Sequence, residues 1–436
     1  MPKGKPAEAN RIPLVQVRYI LDEFDGQVET QPLGWRNGKN PNPVEFLYRK
    51  NHLLVRDQDV RRLRATDITV KDVRYPIPGL ALVNVQLRTT NHGQENLLDL
   101  AAYLDKLFGP GFATVDHMLH ISVISNPGTH CPATEPDGVP RDARPLPAVS
   151  ASHCDGRGSL VAVVDTGLVE SAPGQHPWLR GVEGEFEPEV DTSTGFIASR
   201  YTAHGTFIAS IVRAMAPRAQ VRVARIFEKA GANFESEVVK ALYGVIDWAP
   251  DIISLSAGTH TWKERGLLSF RIFVDGPLSE RRGTVLVACA GNDGLDWKFS
   301  PAKMKGVLSV GALAVSGNER AWFSNHGNWV KVYAPGEDLV HAYAAGRYRY
   351  FETVGRPDTE FHGMASWSGT SFSTPVVAGM IAARMSGTGE TAREAAASLL
   401  SLARAQALPG IGPVLRPGQA CLTLRDEECA GPNYRP

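Results

Sequence analysis

Apolar positions change their rhythm four times along this chain. Residues 1–47 carry no sustained period, and their first forty are rich in Pro, Gly and Asn, which predicts an irregular N-terminal segment. From 48 to 125 the pattern tightens. "NHLLVR" (51–56) predicts a strand and "DQDVRRLRATD" (57–67) a short charged helix. "GLALVNVQLR" (79–88) alternates with period two and predicts a strand. "ENLLDLAAYLDKLFG" (95–109) sets Leu97, Leu98, Ala101, Leu104 and Leu107 on one helical face, and "HMLHISVI" (117–124) predicts a last strand. Strand–helix–strand–helix–strand at this length fits a small α/β sandwich, ferredoxin-like in outline.

Residues 126–158 lose all apolar period and are loaded with Pro, Gly, Ser and Asp, the composition of a linker. From 159 to about 410 near-continuous apolar runs alternate with amphipathic helical stretches. "SLVAVVD", "QVRVARIF", "DIISLSAG", "TVLVACAGN", "VLSVGAL" and "WVKVYAPG" predict buried strands. "HGTFIASIVRAMA" and "ESEVVKALYGVIDWA" predict helices, the latter with Val238, Val239, Leu242, Val245 and Ile246 on one face. Strands buried on both sides and separated by helices predict one large, doubly wound, mainly parallel α/β sheet. Residues 411–436 form a Pro- and Gly-rich tail.

Composition narrows the partners. Lys+Arg and Asp+Glu are both 46, so a nucleic-acid or anionic membrane surface is not expected as the main partner. No apolar run approaches the roughly 20 residues of a membrane span. The N-terminus lacks the apolar core of a secretory leader, and five cysteines in 436 residues do not make a disulfide scaffold. The expected compartment is the cytoplasm.

Open parallel sheets carry their sites at the carboxyl ends of strands. Asp165 ends "SLVAVVD", Ser256-Ala257-Gly258 ends "DIISLSAG", and Asn292 ends "TVLVACAGN". His204 starts one helix and Ser371 another, in "SGTSFSTPVVAGMIAA". Alone, each has a plainer reading: Asp165 and Ser371 as helix caps, His204 as a surface residue, Asn292 as a turn former. Together they are the groups that nucleophilic acyl transfer needs. A serine hydroxyl requires a base, an imidazole supplies one near neutral pH, and a carboxylate fixes its tautomer. The tetrahedral oxyanion needs donors, here the Asn292 amide and the Ser371 backbone N–H. Pro375 is expected in the first helical turn, where a missing N–H is tolerated.

In these residues and their order the chain resembles the subtilisin-like serine proteases, the subtilase family. "VVDTGL" (163–168), "HGTFIASIV" (204–212), "AGN" (290–292) and "GTSFSTP" (369–375) match its Asp, His, oxyanion-hole and Ser motifs in family order, over about 159–405. The resemblance implies a serine endopeptidase acting on polypeptide substrates. Ser371 would be the nucleophile, His204 the general base and acid, Asp165 its orienting carboxylate and Asn292 the oxyanion donor. Ser256, Ala257 and Gly258 would pair with the substrate and wall its pocket, with Ala290 and Gly291 opposite. Phe372, Ser373 and Ala257 depart from the commonest family residues, and Ala257 bears on pocket shape. No cofactor is required by this chemistry, and a structural calcium site is left open. The resemblance further gives residues 48–125 the role of a prodomain that assists folding and acts as an intramolecular inhibitor, with processing between 125 and 157. A permanently attached module, and release by an activating partner, remain alternatives. So do a subtilase-fold peptide macrocyclase or ligase and a catalytically silent fold used for binding.

The cysteines leave further choices open. His130-Cys131 and His153-Cys154 could share a zinc ion, or Cys131 and Cys154 a disulfide, and Cys421 could bridge Cys429. Cys289, within an apolar run, is expected to be a small core residue.

Overall fold

The computed structural model describes residues 13–32, 44–90, 93–121, 134–350 and 355–422. The described residues build two large sheets, with three small ones of two or three strands beside them. The first is antiparallel and carries the path strand Val44–Arg56, helix Val60–Arg64, strands Thr69–Ile77 and Leu80–Gln86, helix Leu97–Phe108 and strand Ala113–His120. Across it the strands run Ala113–His120, Val44–Arg56, Leu80–Gln86, Thr69–Ile77. Helix Leu97–Phe108 starts where Asn96 accepts the Leu98 N–H at 2.8 Å, and it lays Leu97, Leu100, Ala101 and Leu104 onto the sheet. Strand Thr69–Ile77 escaped the apolar pattern because it is an edge strand. Most of its side chains face water, and Lys71, Asp72 and Arg74 suit an edge better than a core.

Ahead of this unit, helix Pro13–Glu23 and strand Val28–Pro32 lie within the segment that the sequence marks as irregular. The strand pairs antiparallel with Val44–Arg56. Val17, Ile20 and Phe24 are buried against Met118 and Phe234. Three spaced apolar residues between polar ones give too weak a period to be read alone.

The second sheet has seven parallel strands. Their order is Glu183–Gly184, Gln220–Arg225, Leu160–Asp165, Ile252–Leu255, Val285–Cys289, Val307–Leu313 and Val332–Pro335. Successive residues of strand Leu160–Asp165 face opposite sides, as a pleated strand must. Val161 and Val163 join the core under helices His204–Met215, Thr370–Thr388 and Ala392–Ala405. Ala162 and Val164 join the core under helices Glu235–Ile246 and Leu268–Asp275. Because Leu160–Asp165 precedes both its neighbours in sequence, the chain winds outward from it in both directions. Asp165 therefore stands at the carboxyl end of the switch-point strand.

The two sheets are joined. Strand Ala232–Phe234, just before helix Glu235–Ile246, pairs antiparallel with Met118–His120 and so extends the first sheet by one strand. Leu54, Ile77, Leu80, Leu82 and Leu119 share a core with Val238, Leu242, Phe270 and Phe273. Asp116 accepts from the Ser236 N–H (3.1 Å) and hydroxyl (2.8 Å) at the start of that helix, and from Arg49 Nε at 2.8 Å. His117 bonds Glu235 at 2.9 Å, and the Trp262 N–H donates to its other ring nitrogen at 3.1 Å.

Residues 134–158, inside the stretch marked as linker, lie along this second body. Asp137–Gly138 pairs with strand Thr359–Trp367, Leu146 bridges Val340, and the Trp367 indole donates to the Thr134 carbonyl at 2.7 Å. Cys154 corrects the cysteine expectations. It forms a disulfide with Cys421, 267 residues away, which rules out the Cys131–Cys154 and Cys421–Cys429 pairs and takes Cys154 from any zinc site shared with His130 and Cys131. The reason is the path of the tail. Tyr333 bridges Val414, and Arg384 donates to the Leu422 carbonyl at 2.8 Å, so the tail returns alongside Cys154, ahead of strand Leu160–Asp165. His130, Cys131 and Cys429 lie outside the described residues. Among the described residues no helix is long and apolar enough to cross a membrane.

Candidate active site

Asp165 and His204 meet at the rim of the parallel sheet. Nδ1 of His204 lies 2.7 Å from Asp165 Oδ1, and both side chains are fully buried. A carboxylate accepting at Nδ1 leaves Nε2 with its lone pair, the tautomer a general base requires. Nε2 carries no hydrogen bond. The ring is fixed by Trp367, perpendicular at 5.4 Å, and by Phe372 at 5.2 Å. Ala203, just before the helix, takes φ +68°, the left-handed region that a residue with a Cβ seldom adopts. Its N–H donates to Glu187 Oε1 at 3.0 Å. Glu187 also accepts from the Thr166 hydroxyl at 3.2 Å, and burial pushes its carboxyl up to about 8.

Ser371 is the second residue of helix Thr370–Thr388, and its two chain neighbours tie it to the rest of the group. Thr370 donates its N–H and its hydroxyl to Asn292 Oδ1, each at 2.8 Å. With its oxygen so used, Asn292 has its amide NH2 left to donate. On the other side Phe372 packs on the His204 ring. The Ser371 hydroxyl is turned to the Ser256 carbonyl at 3.4 Å rather than to His204. Catalytic hydrogen bonds are often unformed without substrate.

Pro375 is the sixth residue of the helix, one turn later than the sequence suggests. A helical N–H there would bond the Ser371 carbonyl. Proline has none, and the Ser256 hydroxyl donates to that carbonyl at 2.8 Å instead. Proline thus frees the acceptor that links the serine to the neighbouring strand.

The other expected residues flank this group. Ser256, Ala257 and Gly258 follow strand Ile252–Leu255 and are buried. Ala290 donates to Val310 O at 2.9 Å, and the Gly291 N–H donates to the Thr370 hydroxyl at 3.1 Å. Burial pushes the Cys289 thiol up to about 12, so it is an inert core group. The edge of Gly258 is occupied. Its N–H and carbonyl exchange bonds with the backbone of His120, each at 3.1 Å, and Ile121 donates to the Gly231 carbonyl at 2.9 Å. The end of the N-terminal sheet thus lies between two segments of the second body, as an added strand.

A buried Asp–His pair, a serine at a helix start and an amide beside it, at the switch point of a parallel sheet, define the acyl-transfer class of site. The Subtilase family model matches residues 156–408, more than half of the chain, and the protein belongs to that family. The Thermophilic serine proteinase of Bacillus sp. (strain AK1) is 30% identical over 235 residues, 52% of this chain and 51% of that protein. The Intracellular serine protease of Paenibacillus polymyxa is 28% identical over 269 residues, 56% of this chain and 72% of that protein. The match thus spans about half the length of the first relative. Among solved structures, Patellamide maturation protease PatA is similar at 27% identity, covering 61% of this chain and 96% of that one, with a TM-score of 0.47.

Proposed function

We propose that this chain is a serine endopeptidase whose N-terminal domain occupies its own substrate cleft. The observation that carries the first half is the Asp165–His204 hydrogen bond beside Ser371 and Asn292. In the proposed reaction Ser371 Oγ attacks the scissile carbonyl while His204 Nε2 takes its proton. Asp165 stabilises the imidazolium, and His204 then protonates the leaving amine. The Asn292 amide and the Ser371 N–H hold the oxyanion. Water repeats the sequence on the acyl-enzyme, with His204 as base again. Substrate is bound as an extended strand on Ser256–Gly258, with Ala290 and Gly291 as the facing wall.

The second half rests on the His120–Gly258 backbone pair. The ferredoxin-like unit then serves as folding template and intramolecular inhibitor: it contributes its sheet to helix Glu235–Ile246 and lays its last strand in the cleft. A direct test is hydrolysis of a denatured polypeptide such as casein. Wild type is expected to release peptides once its N-terminal domain is removed, and Ser371→Ala is expected to release none. Equal hydrolysis by both would refute the assignment of Ser371.

A further inference from the structure

Phe299 lies between the two walls of the cleft. A Cβ built on Gly258 would fall 2.8 Å from Phe299 Cδ1 and closer still to Cε1. A Cβ built on Gly291 would fall 3.0 Å from Phe299 Cγ and 3.2 Å from Cδ1. One edge of the ring thus lies against both glycines, from strand end and facing segment alike, and together with the Ser300 carbonyl and the Asn325 amide it takes up the room that their missing side chains leave. The ring is 2% exposed. It is also held in place. His260 stands against it at 5.4 Å, close to perpendicular, and Trp297 braces His260 at 5.7 Å. His260 is anchored by Asp293 at 3.0 Å, and Asp293 by Asn325 at 2.9 Å. The Phe299 backbone is fixed as well, because Ser300 exchanges two 2.9 Å bonds with Thr259, next to Gly258.

A phenylalanine elsewhere in this core would be filler. Here it occupies the slot between the segments that, on the endopeptidase reading, receive the substrate side chain next to the scissile bond. We infer that Phe299 is a specificity-determining residue: its ring fills the slot between Gly258 and Gly291, so the residue preceding the cleaved bond must be small. The substrate class is polypeptide with Gly, Ala or Ser at that position. A large aromatic there would have to displace a ring packed on both sides, and protein interiors do not yield room of that size without loss of packing.

This inference rests on the endopeptidase reading, and the test separates the two. The chain is expressed full-length and left to release its N-terminal domain, and one aliquot is titrated with a fluorophosphonate for active Ser371. An untreated aliquot is then assayed on peptide p-nitroanilides that differ only in the last residue, Ala, Ser, Leu or Phe. Wild type is expected to favour Ala and Ser over Phe by about 100-fold or more in kcat/KM per titrated site, the scale of discrimination a filled apolar pocket gives. Phe299→Gly is expected to raise the ratio of kcat/KM for the Phe substrate to that for the Ala substrate by about tenfold or more. Titrated wild type that prefers Phe would overturn the inference and leave the endopeptidase reading intact, without recourse to the variant. Failure of any preparation to label at Ser371 would remove both.

Discussion

His120 and Gly258 exchange two backbone hydrogen bonds of 3.1 Å, which makes the N-terminal sheet and the cleft strand one continuous structure. The pair joins the last described residues of one unit to the wall beside Ser371. On the proposed function it is the point where inhibition is made or lost.

His120→Pro removes the N–H that Gly258 accepts, and the neutral histidine ring with it. Burial holds that ring down to about 3, so it contributes no charge that proline would take away. The loss of one buried bond is worth about 1 kcal/mol, with a further penalty for the carbonyl left unpaired. The initial rate of fluorophosphonate labelling of Ser371, measured before the N-terminal segment is released, should rise about five- to thirty-fold. An unchanged rate would mean that the strand does not limit access.

Asp165→Asn keeps the shape of the site but reverses the hydrogen-bonding sense at Nδ1, so the proton moves to Nε2 and the base is lost. We expect kcat to fall by roughly 10⁴-fold with circular dichroism unchanged. A loss below tenfold would contradict the role given to the 2.7 Å contact.

Glu187 supplies a pH dependence. Its carboxyl stands at about 8 in the folded chain, against 4.5 when unperturbed, with burial the main cause. Between those values the folded chain holds a proton that the unfolded chain has lost, so this group's stabilisation is complete below about 4.5 and declines as pH rises through about 8. Melting temperatures of wild type and Glu187→Gln, measured from pH 5 to 9, should therefore diverge. The variant should lose less than wild type toward the alkaline end. Parallel curves would show that Glu187 ionises normally.

Cys421→Ser opens a loop of 267 residues. The expected loss is about 2–4 kcal/mol of stability, seen as a lower unfolding midpoint, and wild type in reductant should behave likewise. Insensitivity to reductant would mean that the bond is not formed in solution.

The sequence was most informative where chemistry fixes residue type at a strand or helix end. Asp165, His204, Asn292 and Ser371 stand out because each lies at the end of an apolar strand run or at the start of a helix, in a short, ordered motif. The parallel strands were legible for a related reason: burial on both faces leaves runs such as "VLVAC" unbroken. What escaped notice has its own physics. Thr69–Ile77 is a wet edge strand with no alternation. The hairpin Leu339–Tyr348 with Thr359–Trp367 mixes Ala, Gly and aromatics, and its partner Asp137–Gly138 comes from distant sequence. Cys154 meets Cys421 through the return of the tail, which no spacing encodes. Phe299 stands between motifs as an ordinary apolar residue, and only the two glycines facing it give it meaning.

On the proposed function Ser371 is an activated nucleophile under the control of the N-terminal domain. The deciding measurement is the intact mass of wild type and Ser371→Ala, each before and after a fluorophosphonate. An adduct is expected on wild type alone, together with a wild-type mass short by the N-terminal segment and a variant of full mass. An adduct on neither protein, with wild type freed of its N-terminal segment, would contradict it.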